Sequence, residues 1–350
     1  MADYDSREAV QQLGQVNPEF AEYLKTHDPD PLATTPFPAL VEMSRHNPIP
    51  LPPTSESEFT RDIPLRDGYL SNIRVHKPQT PSRRTVVLIH GGGFCTGHNT
   101  QVSVYARAIA SLYGATVINV SYRFAPEFKF PTAPNDVWDT LQWLTTSKDA
   151  LTLGLDFSSG FIIGGVSAGA NLTAVTVQRW VSEKLTPPIS GVWLSIPYLL
   201  EAETVPDQHM DIWISREQNA HAMVIDEATM DFVKTAYAPD IKSPAFSPFN
   251  ARGAHKGLPP VYIQVCGQDP VRDDGLIYEK VLRGCGVSTK LDVYPGVPHG
   301  FMFLFPTLEI SERCNLDTMK GIGWLFGEEK ESREFQEAYA VSGSLQTAST

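Results

Sequence analysis

Short, uninterrupted apolar runs separated by stretches of helical periodicity are the feature that most restricts the fold of this chain. Five such runs occupy residues 85–90, 115–120, 161–164, 191–194 and 261–265. Apolar residues on both faces indicate strands that are buried on both sides, and helices between the strands allow them to run parallel. The sequence therefore predicts an α/β fold, with a mostly parallel sheet that is covered by helices on both faces.

More polar segments extend this pattern at its two ends. Residues 59–64 and 72–76 alternate like strands around the turn signal Arg66-Asp67-Gly68, and residues 290–294 are a predicted last strand. Helical stretches are predicted between the strands, at residues 102–112, 134–145, 168–183 and 275–282. A weak helical period runs through residues 11–25, near the N-terminus.

The segment from Tyr198 to Asn250 interrupts the alternation, because it is too long for a plain loop in a compact domain. Its aromatic residues and methionines recur at roughly helical spacing, so we expect a helical insertion over the sheet. The first residues mix short helical patterns with proline-rich stretches, among them the extended connector 47–53. We therefore divide the chain into an N-terminal cap segment (1–56), the first part of the core (57–197), a helical cap insertion (198–250), the second part of the core (251–329) and a flexible tail (330–350).

Charge and composition exclude several classes of partner. Lys and Arg number 28 against 40 Asp and Glu, which gives a net charge of −12, and no basic block occurs. The chain therefore lacks the long-range attraction to phosphates on which binding to nucleic acid or to anionic membranes depends. The polar N-terminus has neither a signal-peptide core nor an Arg-rich transit pattern, and no segment resembles a membrane span. We expect a cytoplasmic protein.

The four cysteines lie far apart, at positions 95, 266, 285 and 314. They form no CxxC pair and no Cys/His cluster with the spacing of a zinc site. We therefore expect reduced, mostly buried thiols, and no metal site is predicted.

The segment Gly165-Val166-Ser167-Ala168-Gly169 follows a predicted strand and precedes a predicted helix. That context is typical of a nucleophile elbow, the tight turn that exposes a serine hydroxyl at the end of a strand. The small residues around the serine permit the turn. It would aim the backbone N–H of Ala168 at a reacting carbonyl.

A glycine-rich loop, His90-Gly91-Gly92-Gly93-Phe94, directly follows another predicted strand. Three glycines allow the backbone to curl so that its N–H groups face a developing oxyanion. A phosphate-binding loop is the alternative interpretation. It is disfavoured because no GK[ST] follows and no acidic residue ends a second strand to bind a ribose.

Asp269 and His299 each follow a later predicted strand, at the edge where open parallel sheets gather their sites. The chain order Ser167, Asp269, His299 is that of the triads of α/β-hydrolases. Asp273 and Asp274 lie close to Asp269, and Asp273 stays open as the alternative acid.

Taken together, these motifs and the segment Tyr122-Arg123-Phe124-Ala125-Pro126-Glu127 resemble the hormone-sensitive-lipase-like esterases, also called the α/β-hydrolase fold-3 group. The resemblance covers roughly residues 83–326. It implies an α/β-hydrolase fold with an eight-stranded sheet, a cap built from the N-terminal segment and the insertion, and ester hydrolysis by a serine hydrolase without a cofactor. It also implies roles for individual residues: Ser167 as nucleophile, His299 as base, Asp269 as its partner, and the N–H groups of Gly92, Gly93 and Ala168 as the oxyanion hole.

Two residues depart from the family pattern beside the nucleophile. Val166 stands where the family usually has Asp, and Ala170 stands where it usually has Gly, so the usual pocket wall is changed. Apolar residues near the triad in sequence, with others from the cap, predict a pocket for a small or medium hydrophobic ester; these residues are Phe94, Val166, Trp213, Phe301 and Met302.

Other activities at the same site stay open. The resemblance extends to fungal tailoring hydrolases, in which such a triad hydrolyses a lactone or a thioester or closes a ring. Relatives of the family also include base-catalysed eliminating enzymes and hormone receptors that have lost the histidine, although His299 is present here. An exposed apolar surface on the cap would additionally allow a homodimer.

Overall fold

The structure, a computed structural model, describes residues 4–46, 54–80, 83–251, 253 and 255–338. Within these residues one sheet contains eight strands: β1 (Glu58–Pro64), β2 (Leu70–His76), β3 (Arg84–Ile89), β4 (Ala115–Val120), β5 (Phe161–Val166), β6 (Gly191–Ser195), β7 (Val261–Gln268) and β8 (Thr289–Pro298). Their order across the sheet is β1-β2-β4-β3-β5-β6-β7-β8. β2 is antiparallel to both of its neighbours, and the remaining neighbours are parallel. The predicted mostly parallel sheet is confirmed.

Helices lie between all consecutive strands from β3 to β8 and in the segments before β1 and after β8. Their bounds are α1 (Arg7–Gln12), α2 (Pro18–Thr26), α3 (Pro31–Thr34), α4 (Phe37–His46), α5 (Ser103–Tyr113), α6 (Thr132–Thr146), α7 (Ala168–Ser182), α8 (Ser215–Gln218), α9 (Glu227–Tyr237), α10 (Arg272–Gly284), α11 (Phe301–Leu304) and α12 (Glu309–Phe326).

Across residues 11–25, where the sequence has a weak helical period, the chain forms α1 and α2 with a break between them. The Asn17 side chain accepts hydrogen bonds from the N–H groups of Glu19 and Phe20, at 2.9 and 3.2 Å. Pro18 occupies the first position of α2, where no N–H group is needed. A new helix therefore begins at Pro18.

Successive residues of β3 pack into different apolar layers, as expected for a strand that is buried on both faces. Val86 and Leu88 belong to the cluster that contains residues of α5 and α12. Val87 and Ile89 belong to the cluster that contains residues of α6, α7 and α10. The sheet is thus covered on both sides, and parallel β3, β5, β7 and β8 bring their carboxyl ends to one edge.

The N-terminal segment reaches the ends of β7 and β8. The N–H of Gly296 donates to the carbonyl oxygen of Leu13 at 2.8 Å, and the N–H of Asn17 donates to Gly296 at 3.0 Å. The insertion reaches the same edge of the sheet through α8, whose first N–H groups are bound by Asp273 of α10. The division of the chain into cap and core segments stays a prediction.

Two of the predicted segments lie wholly or partly outside the residues that the structure describes. The connector 47–53 lies outside the described residues, and so do residues 339–350 of the predicted tail. Residues 332–338 are helical and bury Phe335. In the described part of the chain, none of the helices combines the length and apolar character that crossing a bilayer requires.

Candidate active site

Ser167 lies between the end of β5 and the first residue of α7. Its backbone has φ 55° and ψ −119°, a strained conformation that is rare for residues other than glycine. The N–H of Ser167 donates to the carbonyl oxygen of Ser195 at 2.8 Å, which ties the turn to β6. The side chain is partly exposed. The strained turn thus holds the hydroxyl outward at the edge of the sheet.

The two glycines of the elbow are required by close approach of the backbone. A Cβ atom on Gly165 would lie 2.3 Å from the carbonyl oxygen of Gly169. A Cβ atom on Gly169 would lie 2.2 Å from the carbonyl oxygen of Ile89 and 2.4 Å from that of His90. Any larger residue would therefore push α7 away from the end of β3, and with it the serine.

The glycine-rich loop after β3 packs directly against the elbow. A Cβ atom on Gly91 would lie 3.3 Å from the Cβ of Ser167 and 3.1 Å from the carbonyl oxygen of Val166. Gly92 and Gly93 have positive φ angles of 112° and 57°. Within the described residues, the backbone N–H groups of Gly92, Gly93 and Ala168 have no hydrogen-bond acceptor. Their role as oxyanion donors stays a prediction.

Buried aromatic residues hold the glycine-rich loop in place. The Tyr122 hydroxyl donates to the carbonyl oxygens of His90 and Gly91, at 3.1 and 3.2 Å. The His90 ring stacks on Tyr122 and donates from Nδ1 to the carbonyl oxygen of Gly91 at 2.7 Å. Burial lowers the pKa of His90 to about 4, so the ring is neutral at neutral pH. The loop is therefore supported by uncharged groups.

The structure brings together the three residues of the predicted triad. The Ser167 hydroxyl lies 2.8 Å from Nε2 of His299, and Nδ1 of His299 lies 2.7 Å from Oδ2 of Asp269. Asp269 is completely buried, and its Oδ1 accepts a hydrogen bond from the N–H of Val271 at 2.9 Å. The carboxylate therefore fixes the tautomer in which Nδ1 carries the proton and Nε2 faces the serine.

Asp273 and Asp274, which follow Asp269 in sequence, bind the insertion instead of the histidine. Asp273 accepts hydrogen bonds from the N–H groups of Ile214 and Ser215, both at 2.6 Å, and pairs with Arg272. Asp274 accepts from the N–H groups of Leu199 and Leu200, from the Trp213 indole and from Arg216. Of the three carboxylates, Asp269 alone is hydrogen-bonded to His299. It is also the residue that the family resemblance implies as the partner of the histidine.

Most of the predicted pocket residues lie in the interior. Phe94 and Phe301 are fully buried; Phe94 stacks on Tyr237 of α9, with ring centroids 4.0 Å apart. Val166 and Met302 are buried as well. The Trp213 indole donates to Asp274, 3.2 Å away. The role of these residues in lining a substrate pocket stays a prediction.

Two cap residues that sequence patterns did not identify lie on the glycine-rich loop. A Cβ atom on Gly93 would lie 2.9 Å from Cζ of Phe37 and 2.9 Å from Cγ2 of Val233. Phe37 begins α4, and Val233 belongs to α9; the Phe37 ring also meets the ring of Phe232 edge-on at 6.0 Å. Both cap segments therefore contribute to the cover above the predicted oxyanion hole. No sequence signal marks these contacts.

Metal ligation finds no support among the described residues, which contain no cluster of three His, Cys, Asp or Glu side chains suited to an ion. The four cysteines are unpaired, and burial raises the pKa of Cys95 to about 12. The arrangement of Ser167, His299 and Asp269 is suited to nucleophilic chemistry. A serine hydroxyl that transfers its proton to a carboxylate-oriented imidazole can attack an electrophilic carbonyl.

Comparison with known proteins identifies relatives of this chain. A family model described as the alpha/beta hydrolase fold matches residues 86–303. An AB hydrolase superfamily protein of Schizosaccharomyces pombe is 35% identical over 271 residues, which are 77% of this chain and 79% of that protein. The versiconal hemiacetal acetate esterase of Dothistroma septosporum is 28% identical over 277 residues, 78% of this chain and 84% of the relative.

Among solved structures, the crystal structure of vibralactone cyclase is similar to this one with a TM-score of 0.79 and 26% sequence identity. The match covers 90% of this chain and 96% of the cyclase chain. The similarity therefore includes most of the cap segments as well as the sheet.

Proposed function

The chain belongs to the hormone-sensitive-lipase-like family of α/β hydrolases and is a serine hydrolase of the esterase type, and from this premise we propose that it hydrolyses a small or medium hydrophobic carboxylic ester through Ser167, His299 and Asp269. The unbroken hydrogen-bond chain from Ser167 through His299 to the buried carboxylate of Asp269 carries this proposal.

The reaction begins when the Ser167 oxygen attacks the ester carbonyl while Nε2 of His299 takes the hydroxyl proton. Asp269 stabilises the imidazolium that forms, and the N–H groups of Gly92, Gly93 and Ala168 stabilise the oxyanion. Such a donor contributes roughly 3–4 kcal/mol to transition-state stabilisation. The alcohol leaves with the proton from His299. Water, activated by the same imidazole, then hydrolyses the acyl-enzyme.

Two observations favour an ester with a compact group at the oxyanion hole. Phe37 and Val233 approach Gly93 closely, which restricts the space above the glycine-rich loop. One relative is named for an acetate ester. We therefore expect acetate and butyrate esters to be better substrates than long-chain esters.

Hydrolysis of p-nitrophenyl acetate, butyrate, octanoate and palmitate by the wild type and by Ser167→Ala tests this function. We expect Ser167→Ala to lower kcat by a large factor, up to about 10⁶ in strongly coupled triads. Ser182→Ala is the matched control, since Ser182 lies on the exposed end of the same helix and should leave the rate unchanged. Ester turnover by Ser167→Ala at the wild-type rate would exclude the proposed nucleophile.

A second candidate is the hydrolysis of a lactone or thioester, or ring closure, by the same serine. The high TM-score with vibralactone cyclase favours this alternative. It predicts that a fluorophosphonate labels Ser167 although none of the four p-nitrophenyl esters is turned over. If neither labelling nor turnover occurs, base-catalysed elimination or ligand binding without catalysis becomes the better hypothesis.

A further inference from the structure

We propose that Asn219, a residue of the insertion, is a positioning residue for the triad acid. Its carboxamide Nδ2 donates to the carbonyl oxygen of Asp269 at 3.0 Å and to that of Gly267 at 3.4 Å. Asn219 is 5% exposed, so water does not readily replace these bonds. The inference rests on the proposed function, because it assigns Asn219 a role through Asp269.

The two carbonyl groups that Asn219 binds lie in the segment that carries the catalytic carboxylate. Gly267 is the penultimate residue of β7, and Asp269 directly follows that strand. The Asp269 carboxylate must stay aimed at Nδ1 of His299, 2.7 Å away. Rotation of the peptide groups beside it would move this carboxylate. Because Asn219 donates to both carbonyl oxygens, it restricts the direction in which the Asp269 side chain points.

Asn219 is itself held in place because α8 is docked on α10. The carboxylate of Asp273 accepts the N–H groups of Ile214 and Ser215 at 2.6 Å, and the Ser215 hydroxyl donates to the carbonyl oxygen of Pro270 at 2.6 Å. Asp273 and Ser215 are completely buried. Asn219 then ends α8 with its N–H donating to the carbonyl oxygen of Ser215 at 3.0 Å.

The neighbouring residue Gln218 links the same place to the N-terminal segment. Its Oε1 accepts a hydrogen bond from the buried Arg272 at 2.9 Å, and its Nε2 donates to the carbonyl oxygen of Gln11 at 2.7 Å. Arg272 also donates to the carbonyl oxygen of Gly267 at 3.0 Å. Gly267 thus receives hydrogen bonds from both Asn219 and Arg272, and the two cap segments meet beside the acid.

The variant Asn219→Ala removes the donor without adding bulk. We expect kcat for p-nitrophenyl butyrate to fall about 10- to 100-fold while KM changes less than about threefold, because a displaced catalytic group slows the chemical step more than it weakens binding. The isosteric Asn219→Asp should also lower kcat, since it keeps the side-chain shape but cannot donate. It serves as the second variant if Asn219→Ala does not fold.

Asn250→Ala is the matched control. Asn250 lies in the same insertion, and its Nδ2 also donates to two backbone carbonyl oxygens, those of Ile241 and Ser243, at 2.7 and 3.2 Å. It contacts neither the acid nor the histidine through these bonds. We expect its kcat to equal that of the wild type at a temperature where both proteins are folded.

A double-mutant cycle distinguishes positioning from a general loss of structure. If Asn219 acts through Asp269, Asn219→Ala should change kcat less than about twofold in an Asp269→Ala background, because the group that it positions is absent. An equal loss in both backgrounds would overturn the proposal, and so would a wild-type kcat for folded Asn219→Ala. Neither result would affect the proposed function, which fails only if Ser167→Ala retains activity or the wild type has none.

Discussion

The candidate site has two halves that are constructed differently. The nucleophile half consists of the glycine-rich loop after β3 and the elbow after β5, and backbone packing defines it: a Cβ on Gly165 or Gly169 would lie within 2.4 Å of a carbonyl oxygen. The acid half consists of the turns after β7 and β8 that carry Asp269 and His299. A side chain from the insertion, Asn219, bonds to that half, and the helix before it is bound in turn by Asp273.

The difference shows what each half requires of the sequence. The nucleophile half depends on small residues at fixed, nearly adjacent positions, and its surrounding groups include the neutral His90. The acid half depends on buried carboxylates and amides that meet only in the folded chain. We therefore expect the nucleophile half to be sensitive to added side-chain volume. We expect the acid half to be sensitive to the loss of hydrogen bonds and to pH.

Among the variants that test this comparison, Gly169→Ala should have the largest effect. The added methyl group would overlap the carbonyl oxygens of Ile89 and His90, so Ser167 and the oxyanion donors would be forced apart. We expect a loss of at least about 10³-fold in kcat/KM for p-nitrophenyl butyrate, equivalent to about 4 kcal/mol. Gly284→Ala, at the end of α10 where a Cβ meets no atom within 4 Å, should retain activity. Wild-type activity in Gly169→Ala would show that backbone packing does not define the nucleophile half.

Asp274→Asn tests whether the acid half responds to pH. Burial raises the pKa of Asp274 from 3.8 to about 6, although Arg216 and two backbone N–H groups favour its charged form. Because the folded pKa lies above the unfolded value, the carboxyl group stabilises the fold fully below about pH 4, and this contribution is lost as pH rises through about 6. The loss amounts to about 3 kcal/mol.

Urea unfolding at pH 4, 5.5 and 7 measures this contribution. The free energy of unfolding of the wild type should fall, relative to that of Asp274→Asn, as pH rises over this range. His90 has the opposite dependence, because burial lowers its pKa, but it is present in both proteins and cancels in the difference. Asp231→Asn, on the exposed face of α9, should follow the wild type. If the free energy of unfolding changed with pH in the same way for the wild type and Asp274→Asn, the prediction that Asp274 titrates in this range would be wrong.

Phe37→Ala should have the smallest effect, because Phe37 covers the nucleophile half and, among the described residues, makes no hydrogen bond that holds it in place. Removing the ring above Gly93 enlarges the space at the oxyanion hole without changing a hydrogen bond of the triad. We expect kcat/KM for p-nitrophenyl octanoate to rise about tenfold relative to acetate, a typical effect for a change in pocket size. Met43→Ala, an exposed position on the same helix, is the control. If acetate hydrolysis fell as far as in Asn219→Ala, the cap would also position the nucleophile half.

Much of the fold could be predicted from the sequence because its strands are apolar throughout and separated by helices. The strand at residues 115–120 was predicted with its observed bounds, whereas β7 and β8 continue past their predicted ends to Gln268 and Pro298. These extensions are polar or contain proline and glycine, so their strand character comes from pairing with each other and not from local composition. The break at Asn17 was missed because a weak helical period continues across it.

In the candidate site, too, residues in local sequence patterns were predictable, whereas residues that depend on long-range packing were not. Ser167 and the glycine-rich loop are marked by short local patterns, since the close approach of the backbone demands glycine at each position. Asp269 and His299 were identified from their places after strands and from their order in the chain. Asn219 and Phe37 have no such pattern, because their partners are determined by how the insertion and the N-terminal segment pack on the sheet.

The contacts between the N-terminal segment and the ends of β7 and β8 bear on how the protein is synthesised. The backbone N–H of Glu309 donates to the side chain of Glu19, a partner 290 residues earlier, and Gln268 bonds to Gly14 across 254 residues. On the ribosome, Glu19 and Gly14 must wait for 290 and 254 further residues, respectively, before these partners are synthesised. Such long-range closure is slow. The nascent chain is therefore expected to be inactive until its last strand has left the exit tunnel, and its early helices are candidates for chaperone binding during that interval.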